Sequence, residues 1–155
     1  MSAPRYRAIA LVHPDFDASA GPPGFSLTPD GRLATVTEDA SVRQAVLLLL
    51  STRPGERVNR PNYGCHLFRL AFAAADDTTA GLAIHYVSSA LQRWEPRVTV
   101  LSLDAARAPE DPALLEVRLR YRVKATQHED ELAVGVPVSG QAPGTADRTT
   151  ERGSA

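Results

Sequence analysis

Leu114-Leu-Glu-Val-Arg-Leu-Arg-Tyr-Arg-Val-Lys-Ala-Thr126 alternates apolar and charged side chains almost without a break. Leu115, Val117, Leu119, Tyr121 and Val123 fall on one side of an extended chain, and Glu116, Arg118, Arg120, Arg122 and Lys124 on the other. A period of two belongs to a strand with one face on a core and the other in water or against a charged partner. Two further extended runs flank it. Residues 97–103 are rich in Val, Thr and Leu, and in 132–138 Leu132, Val134, Val136 and Val138 alternate again. Pro137 confines that last run to a sheet edge, because proline lacks the N–H a ladder needs. The three runs form an antiparallel meander with 114–126 in the middle.

Upstream the period changes to that of a helix. Val42, Ala45, Val46 and Leu49 recur at i, i+3, i+4 and i+7, with Leu47, Leu48 and Leu50 adding apolar bulk, so this helix is expected to be buried on most sides. Ser41 and Gln44 have capping-box spacing, which places the helix start there. Arg53-Pro54-Gly55 stops it. A second helix over about 79–94 carries a stripe of Ile84, Val87, Leu91 and Trp94 beside Ala83 and Ala90. Asp76, Asp77, Thr78 and Thr79 are its cap candidates, and Pro96 ends it. The fold class is α+β: two main helices followed by a three-stranded antiparallel meander, with flexible N- and C-terminal segments.

Gly and Pro punctuate residues 13–32 too often for regular structure, and 139–155 is small, polar and aperiodic. These features divide the chain into an N-terminal extended or loop segment (1–32), one folded domain (33–138) and a disordered tail (139–155). The tail is expected to be dispensable for folding.

Lys and Arg number 17 against 18 Asp and Glu, so no field gathers polyanions and nucleic acid is excluded as a main ligand. The lone Cys65 suits a chain folded in a reducing cytoplasm. The apolar runs 8–12 and 45–50 are far below membrane length and too short for a secretory leader, which points to a soluble protein with no membrane partner.

Three segments go beyond a generic α+β domain. They are Leu50-Ser-Thr-Arg-Pro-Gly-Glu-Arg57 running on through Asn59-Arg-Pro-Asn-Tyr-Gly64, then Trp94-Glu-Pro-Arg-Val98, then the alternating strand quoted above. Over roughly 33–127 the chain resembles the GPW-domain family. This family comprises baseplate wedge proteins of phage tails, with their counterparts in type VI secretion and extracellular contractile injection systems. Its pattern is a leucine-ended helix, a Thr-x-x-Gly-Glu-Arg turn, a Pro-x-aromatic-Gly turn and a helix ending in Glu-Pro-Arg.

The resemblance implies a structural subunit of a six-fold hetero-oligomeric assembly. That subunit joins the wedge and spike region to the sheath and initiates sheath assembly by strand addition. The implied partners are sheath protein, wedge proteins and the spike or hub protein. The implied place is the cytoplasm during assembly, then a phage-tail-like particle released from or anchored in the cell.

The candidate contact residues are Gly55, Glu56 and Arg57 in the first turn, Glu95, Pro96 and Arg97 at the helix exit, and Val98 and Val100 on the first strand. Arg118, Arg120 and Arg122 complete the set as a same-sign stripe that an acidic partner surface would relieve. Glu95 and Arg97 are read as a partner-facing ion pair, so Arg97→Ala is expected to leave the monomer folded and block its incorporation. For strand addition the favoured edge is 97–103, along Val98, Val100 and Ser102.

An enzymatic alternative, a lysozyme-like peptidoglycan hydrolase, would need two carboxyl groups across a sugar bond, one with a raised pKa. Glu56 and Glu95 are the obvious pair. Each has arginine close in sequence, which favours the ionised form and disfavours a general acid. Of His13, His66, His85 and His128, only His66 lies beside the cysteine. Adjacent ligands without a second pair do not make a zinc site. No cofactor, metal or catalytic residue is expected.

Overall fold

The computed structural model describes residues 3–13 and 21–138. The 139–155 tail lies outside the described residues. In chain order the elements are β1 (Arg7–Ile9), β2 (Leu11–Val12), β3 (Gly24–Phe25), β4 (Thr35–Thr37), α1 (Glu38–Ser51), a 3-10 helix (His66–Leu70), α2 (Asp77–Trp94), β5 (Val98–Arg107), β6 (Leu114–Val123) and β7 (Glu129–Pro137).

β5, β6 and β7 form the expected antiparallel meander with β6 in the centre. The alternation in β6 holds along its length: Leu115, Val117, Leu119, Tyr121 and Val123 are buried. They meet Leu132, Val134 and Val136 of β7 on one core face, which α1 and α2 cover with Val42, Val46, Leu49, Ala83, Val87 and Leu91. Removing each of the larger side chains from water contributes about 1.5–3 kcal/mol. β5 runs on to Arg107, four residues past the expected end, because Ala105, Ala106 and Arg107 stay in register with Val117, Glu116 and Leu115. Pairing with β6 overrides the weak strand preference of two alanines.

α1 begins three residues before the expected cap. Thr37 is its N-cap, and its side chain makes no capping hydrogen bond. Ser41 is buried inside the helix, and Gln44 has another use: its Oε1 accepts from the Leu11 N–H (2.9 Å) and its Nε2 donates to the Ile9 carbonyl (2.8 Å). The capping-box reading is therefore corrected, since a side-chain amide that mimics a strand partner binds the N-terminal chain. For α2 the cap lies among the candidates: Asp76 Oδ1 accepts from the Thr79 N–H at 2.8 Å.

The N-terminal segment, expected to be extended or loop, carries short strand pairings. β1 pairs with β4 and β2 with β3, and an isolated bridge joins Leu27 to Leu33. Gly24 (φ 110°) and Gly31 (φ 78°) supply turn conformations within these pairings. Glu38 ties the segment to α1, its N–H donating to the Tyr6 carbonyl (2.9 Å) and its carboxylate accepting from the Arg5 N–H (2.6 Å).

One polar cluster locks α1 to the sheet. Arg43 Nη1 donates to Asp130 Oδ2 (2.6 Å) and to the Glu131 carbonyl (3.1 Å), and the fully buried Tyr121 donates its hydroxyl to the same Asp130 oxygen (3.0 Å). Burial alone would raise the Asp130 pKa, but hydrogen bonds from Arg43, the Glu131 N–H and Tyr121 hold it below the usual carboxylate range. A folded pKa below the unfolded one stabilises the fold above the unfolded value, about 3.9. That stability is lost as pH falls through the lowered folded value. Asp130→Asn is expected to lose about 1–2 kcal/mol at neutral pH, a modest loss because water screens the half-exposed Arg43. The gap to the parent should close below about pH 4. Urea denaturation at several pH values measures it, and a pH-independent gap would remove this role from Asp130.

Candidate functional site: the corner where the motif segments meet

The loop between α1 and the 3-10 helix folds back on itself. The Cys65 N–H donates to the Thr52 carbonyl (2.9 Å) and the Gly55 N–H to the Pro61 carbonyl (2.7 Å). Glu56 Oε2 accepts from the Arg53 N–H at 2.9 Å, so this carboxylate closes its own turn. The fold-back carries Tyr63 against the C-terminal end of α2, where its ring meets Trp94 edge-on, centroids 5.4 Å apart. Arg57 lies over Tyr63 at 4.2 Å and Arg93 over Trp94 at 5.0 Å. Such cation–ring contacts are favourable for a planar guanidinium. Burial raises the Tyr63 phenol pKa, with Arg57 opposing it.

α2 ends at Trp94, and the turn through Pro96 aims two charges at each other. Arg97 Nε meets Glu95 Oε1 at 2.5 Å and Nη2 meets Oε2 at 2.6 Å, a bidentate pair. Glu95 is only 4% exposed. The Arg97 guanidinium also lies over the Tyr6 ring at 5.2 Å. The expectation of a partner-facing pair is therefore revised. Both Glu95 oxygens are satisfied within the chain, and the bridge belongs to the fold before any partner arrives. Arg57, Tyr63, Trp94, Arg97 and Tyr6 make up the corner's outward surface, and Pro96 is exposed beside them.

The sequence reading singled out Arg57, Glu95, Pro96 and Arg97 here. It listed neither Tyr63 nor Trp94 as a contact, although both lie inside its motif segments, and it missed Tyr6. Gly55 and Glu56 lie on the adjoining loop. Beside them Val58, 94% exposed, is the barest large apolar side chain described.

The arginine stripe occupies a separate surface, the face of the sheet opposite the helices. It is matched by acids of its own sheet. Arg118 pairs with Glu116, Arg122 with Glu129, and Arg120 lies 3.6 Å from Glu129 and 4.0 Å from Glu131. Arg122 holds the Glu129 carboxyl below its usual range. Register places Arg120 opposite Glu131 and Arg122 opposite Glu129, and Glu116 lies two residues from Arg118 on β6 itself, so relief of same-sign repulsion needs no partner.

β5 presents its outer edge beside this corner. The Lys124 N–H donates to the Arg97 carbonyl, which turns the backbone groups of residue 97 towards β6 and, by alternation, those of Val98 and Val100 away from it, although the Val98 side chain is buried in the core. The Val98 N–H is taken by the Glu95 carbonyl (3.4 Å). A β-bulge between Val100 and Ser102 then shifts the alternation. Ser102 therefore faces β6, and Leu103 takes the outward position expected of it. The Val100 and Leu103 N–H groups have no partner among the described residues. Between this edge and α2 runs a groove of about 400 Å³ lined by residues including Ser88, Leu91, Gln92 and Val100. On the opposite edge, Arg43 takes the Glu131 carbonyl and Pro137 offers no donor.

Cys65 is buried, which raises its thiol pKa, and the buried Nδ1 of His66 has no hydrogen-bond partner among the described residues. Among those residues no group of three or more His, Cys, Asp or Glu could hold a metal ion, and no helix is long and apolar enough to cross a membrane.

Residues 36–128 match the family model described as baseplate wedge protein gp25. The baseplate wedge protein gp25 of Enterobacteria phage T4 is 29% identical over 83 residues, which are 54% of this chain and 62% of that protein. The chain thus spans less than two thirds of that relative's length. A crystal structure of a candidate tail lysozyme from Geobacter sulfurreducens is 32% identical, with a TM-score of 0.60, covering 70% of this chain and all of the other. A chain in the cryo-EM structure of the anti-feeding prophage baseplate shares the fold at 18% identity, with a TM-score of 0.63 over 76% of this chain and 86% of its own. The match to the family model takes in the turn, the Glu-Pro-Arg exit and the central strand together, and the chain belongs to the baseplate wedge protein gp25 family.

Proposed function

We propose that this chain is a structural baseplate subunit that joins wedge proteins to the sheath, and that the first sheath strand adds to the outer edge of β5. The observation that carries this reading is the open edge itself. Val100 and Leu103 direct free donors outward beside a groove, whereas the β7 edge is partly capped by Arg43 and interrupted by Pro137. Main-chain hydrogen bonds would supply affinity there, and the groove would select side chains. The aromatic and arginine corner fits a wedge protein or the spike hub, since Tyr, Trp and Arg are the side chains that anchor interfaces. In this reading the subunit assembles in the cytoplasm into a six-fold, phage-tail-like particle.

A hydrolase role, suggested by the description of the Geobacter sulfurreducens relative, finds poor support in the two candidate carboxylates. Glu95 is buried and held at both oxygens by Arg97, and Glu56 is engaged by the Arg53 N–H. A general acid needs a raised pKa and access to a sugar. We infer that the chain is not an enzyme.

Val100→Pro removes the donor at the edge and is expected to give baseplates that carry no extended sheath. Leu101→Lys, a charge on the exposed bulge, asks the same question without touching the backbone. Ala133→Pro on β7 is expected to leave sheath length unchanged. Circular dichroism establishes that each variant is folded, and electron microscopy scores sheath length. Full-length sheath on folded Val100→Pro and Leu101→Lys baseplates would exclude the β5 edge.

A further inference from the structure

Residues 5–12 of the N-terminal ribbon, the short strand pairs β1 to β4, lie outside the stretch that matches the family, yet Tyr6 reaches the motif corner. It is partly buried against the core, and the Arg97 guanidinium lies over its ring at 5.2 Å. Nε and Nη2 of Arg97 are both engaged by Glu95. Nη1 has no hydrogen-bond partner among the described residues, and about a third of the Arg97 side chain is in water. A guanidinium is a rigid planar fork, so two constraints decide where Nη1 aims. The Glu95 carboxylate holds one edge of the plane, and the Tyr6 ring supports its face.

Tyr6 owes its place to α1. The Glu38 N–H donates to the Tyr6 carbonyl, and the Glu38 carboxylate accepts from the Arg5 N–H. Glu38 does this from a φ of 47°, a left-handed conformation uncommon for a residue with a Cβ. Strain is thus held at the junction that carries Tyr6. Further along α1, Gln44 takes the Leu11 N–H and donates to the Ile9 carbonyl, and it makes no hydrogen bond to Tyr6 or Arg97. The Ala10 N–H donates to the Ala34 carbonyl (2.8 Å), which closes the ribbon on itself.

We propose that Tyr6 is a positioning residue for Arg97, that Gln44 latches the ribbon carrying it, and that together they present Arg97 Nη1 to a partner's carbonyl or carboxylate oxygen. The recognition step rests on the reading above, in which a wedge protein or the spike hub docks on this corner. A guanidinium held at one edge and supported on one face has lost its rotamer freedom before the partner arrives. That lowers the entropic cost of docking. Because Tyr6 precedes the matched residues, the ribbon adds to the corner a control that the motif segments alone do not contain.

Hydrogen exchange at the Arg97 Nε–H, followed by NMR on the intact chain, tests the coupling. Tyr6→Leu is expected to speed that exchange about tenfold, whereas Tyr6→Phe, which keeps the ring, leaves it at the parent rate. Gln44→Met, which removes both latch hydrogen bonds, should also speed it about tenfold. Ala10→Pro loosens the ribbon without touching α1 and should do the same, so the question survives if Gln44→Met does not fold. In the Tyr6→Leu background Gln44→Met should add less than about twofold, because both act through one ring. An unchanged Arg97 rate in folded Gln44→Met and Ala10→Pro would overturn the proposal, as would a Gln44→Met effect that persists without Tyr6. Entry into baseplates in competition with the parent tests recognition separately. Tyr6→Leu is expected to enter at least about fivefold less well, and Tyr6→Phe normally. Normal entry by a Tyr6→Leu chain whose Arg97 exchange has risen would refute partner docking at this corner, while the coupling itself would stand on the exchange rates.

Discussion

Gly64→Ala is expected to cost the domain about 3–5 kcal/mol, enough to leave most chains unfolded if the parent sits near the lower end of ordinary domain stability. A Cβ at this position would lie 2.5 Å from the Thr52 carbonyl oxygen and 2.9 Å from both Arg53 C and Pro54 N. All three are backbone atoms at the end of α1, so no side chain can swing aside. The φ of 139° adds strain for any residue with a Cβ. Relieving the clash means moving Thr52 away from the Cys65 N–H, which parts the loop from the helix and draws Tyr63 off Trp94. Gly55→Ala is the control. Its φ of 97° is also left-handed, but nothing lies within 4 Å of the added Cβ. It should lose only the backbone component, about 1–3 kcal/mol. Chemical denaturation of both variants decides the matter, and equal losses would mean that close approach is not what Gly64 provides.

That glycine shows how far the sequence could be read. Pro61-Asn-Tyr-Gly64 announces a turn, because glycine and proline punctuate chains for local reasons. That the turn presses on the end of α1 is a tertiary fact with no local signal. The central strand was legible because burial on one face imposes a period of two on the sequence itself. Its arginines were legible as neighbours on one face. Their acids, Glu129 and Glu131, come into place only through the register of β7, so the stripe looked like an excess of charge. The N-terminal ribbon was illegible for a related reason. Its strands are two or three residues long, and its order comes from Gln44 and Glu38 of α1. Gln44 had meanwhile offered a misleading local explanation as part of a capping box. Tyr6 reaches the motif corner only because that ribbon is ordered. In the corner itself, Glu95 and Arg97 could be placed from the proline between them. Whether they met each other or a partner depended on burial.

Arg97→Ala is expected to lose about 3 kcal/mol of domain stability, towards the lower end of the range for a broken buried pair. The reason is asymmetric. Arg97 keeps nearly a third of its side chain in water, but Glu95 is 95% withdrawn from it and both its oxygens face the guanidinium. Removing the arginine strands a carboxylate in a medium that solvates it poorly. Removing both charges does not, so Glu95→Leu/Arg97→Leu should recover most of the loss, a non-additivity that a double-mutant cycle reads directly. Arg97→Lys should fall between, since an ammonium cannot make two parallel hydrogen bonds to one carboxylate. If the double variant is as unstable as Arg97→Ala, the cost lies in lost packing on Tyr6, and the ion pair is not its source. The double variant also separates folding from assembly. It is expected to be folded yet to lack the guanidinium that lies over Tyr6 at the corner's surface. Failure to enter baseplates would then show that a partner contacts this corner, whereas normal entry would leave the pair a structural role alone.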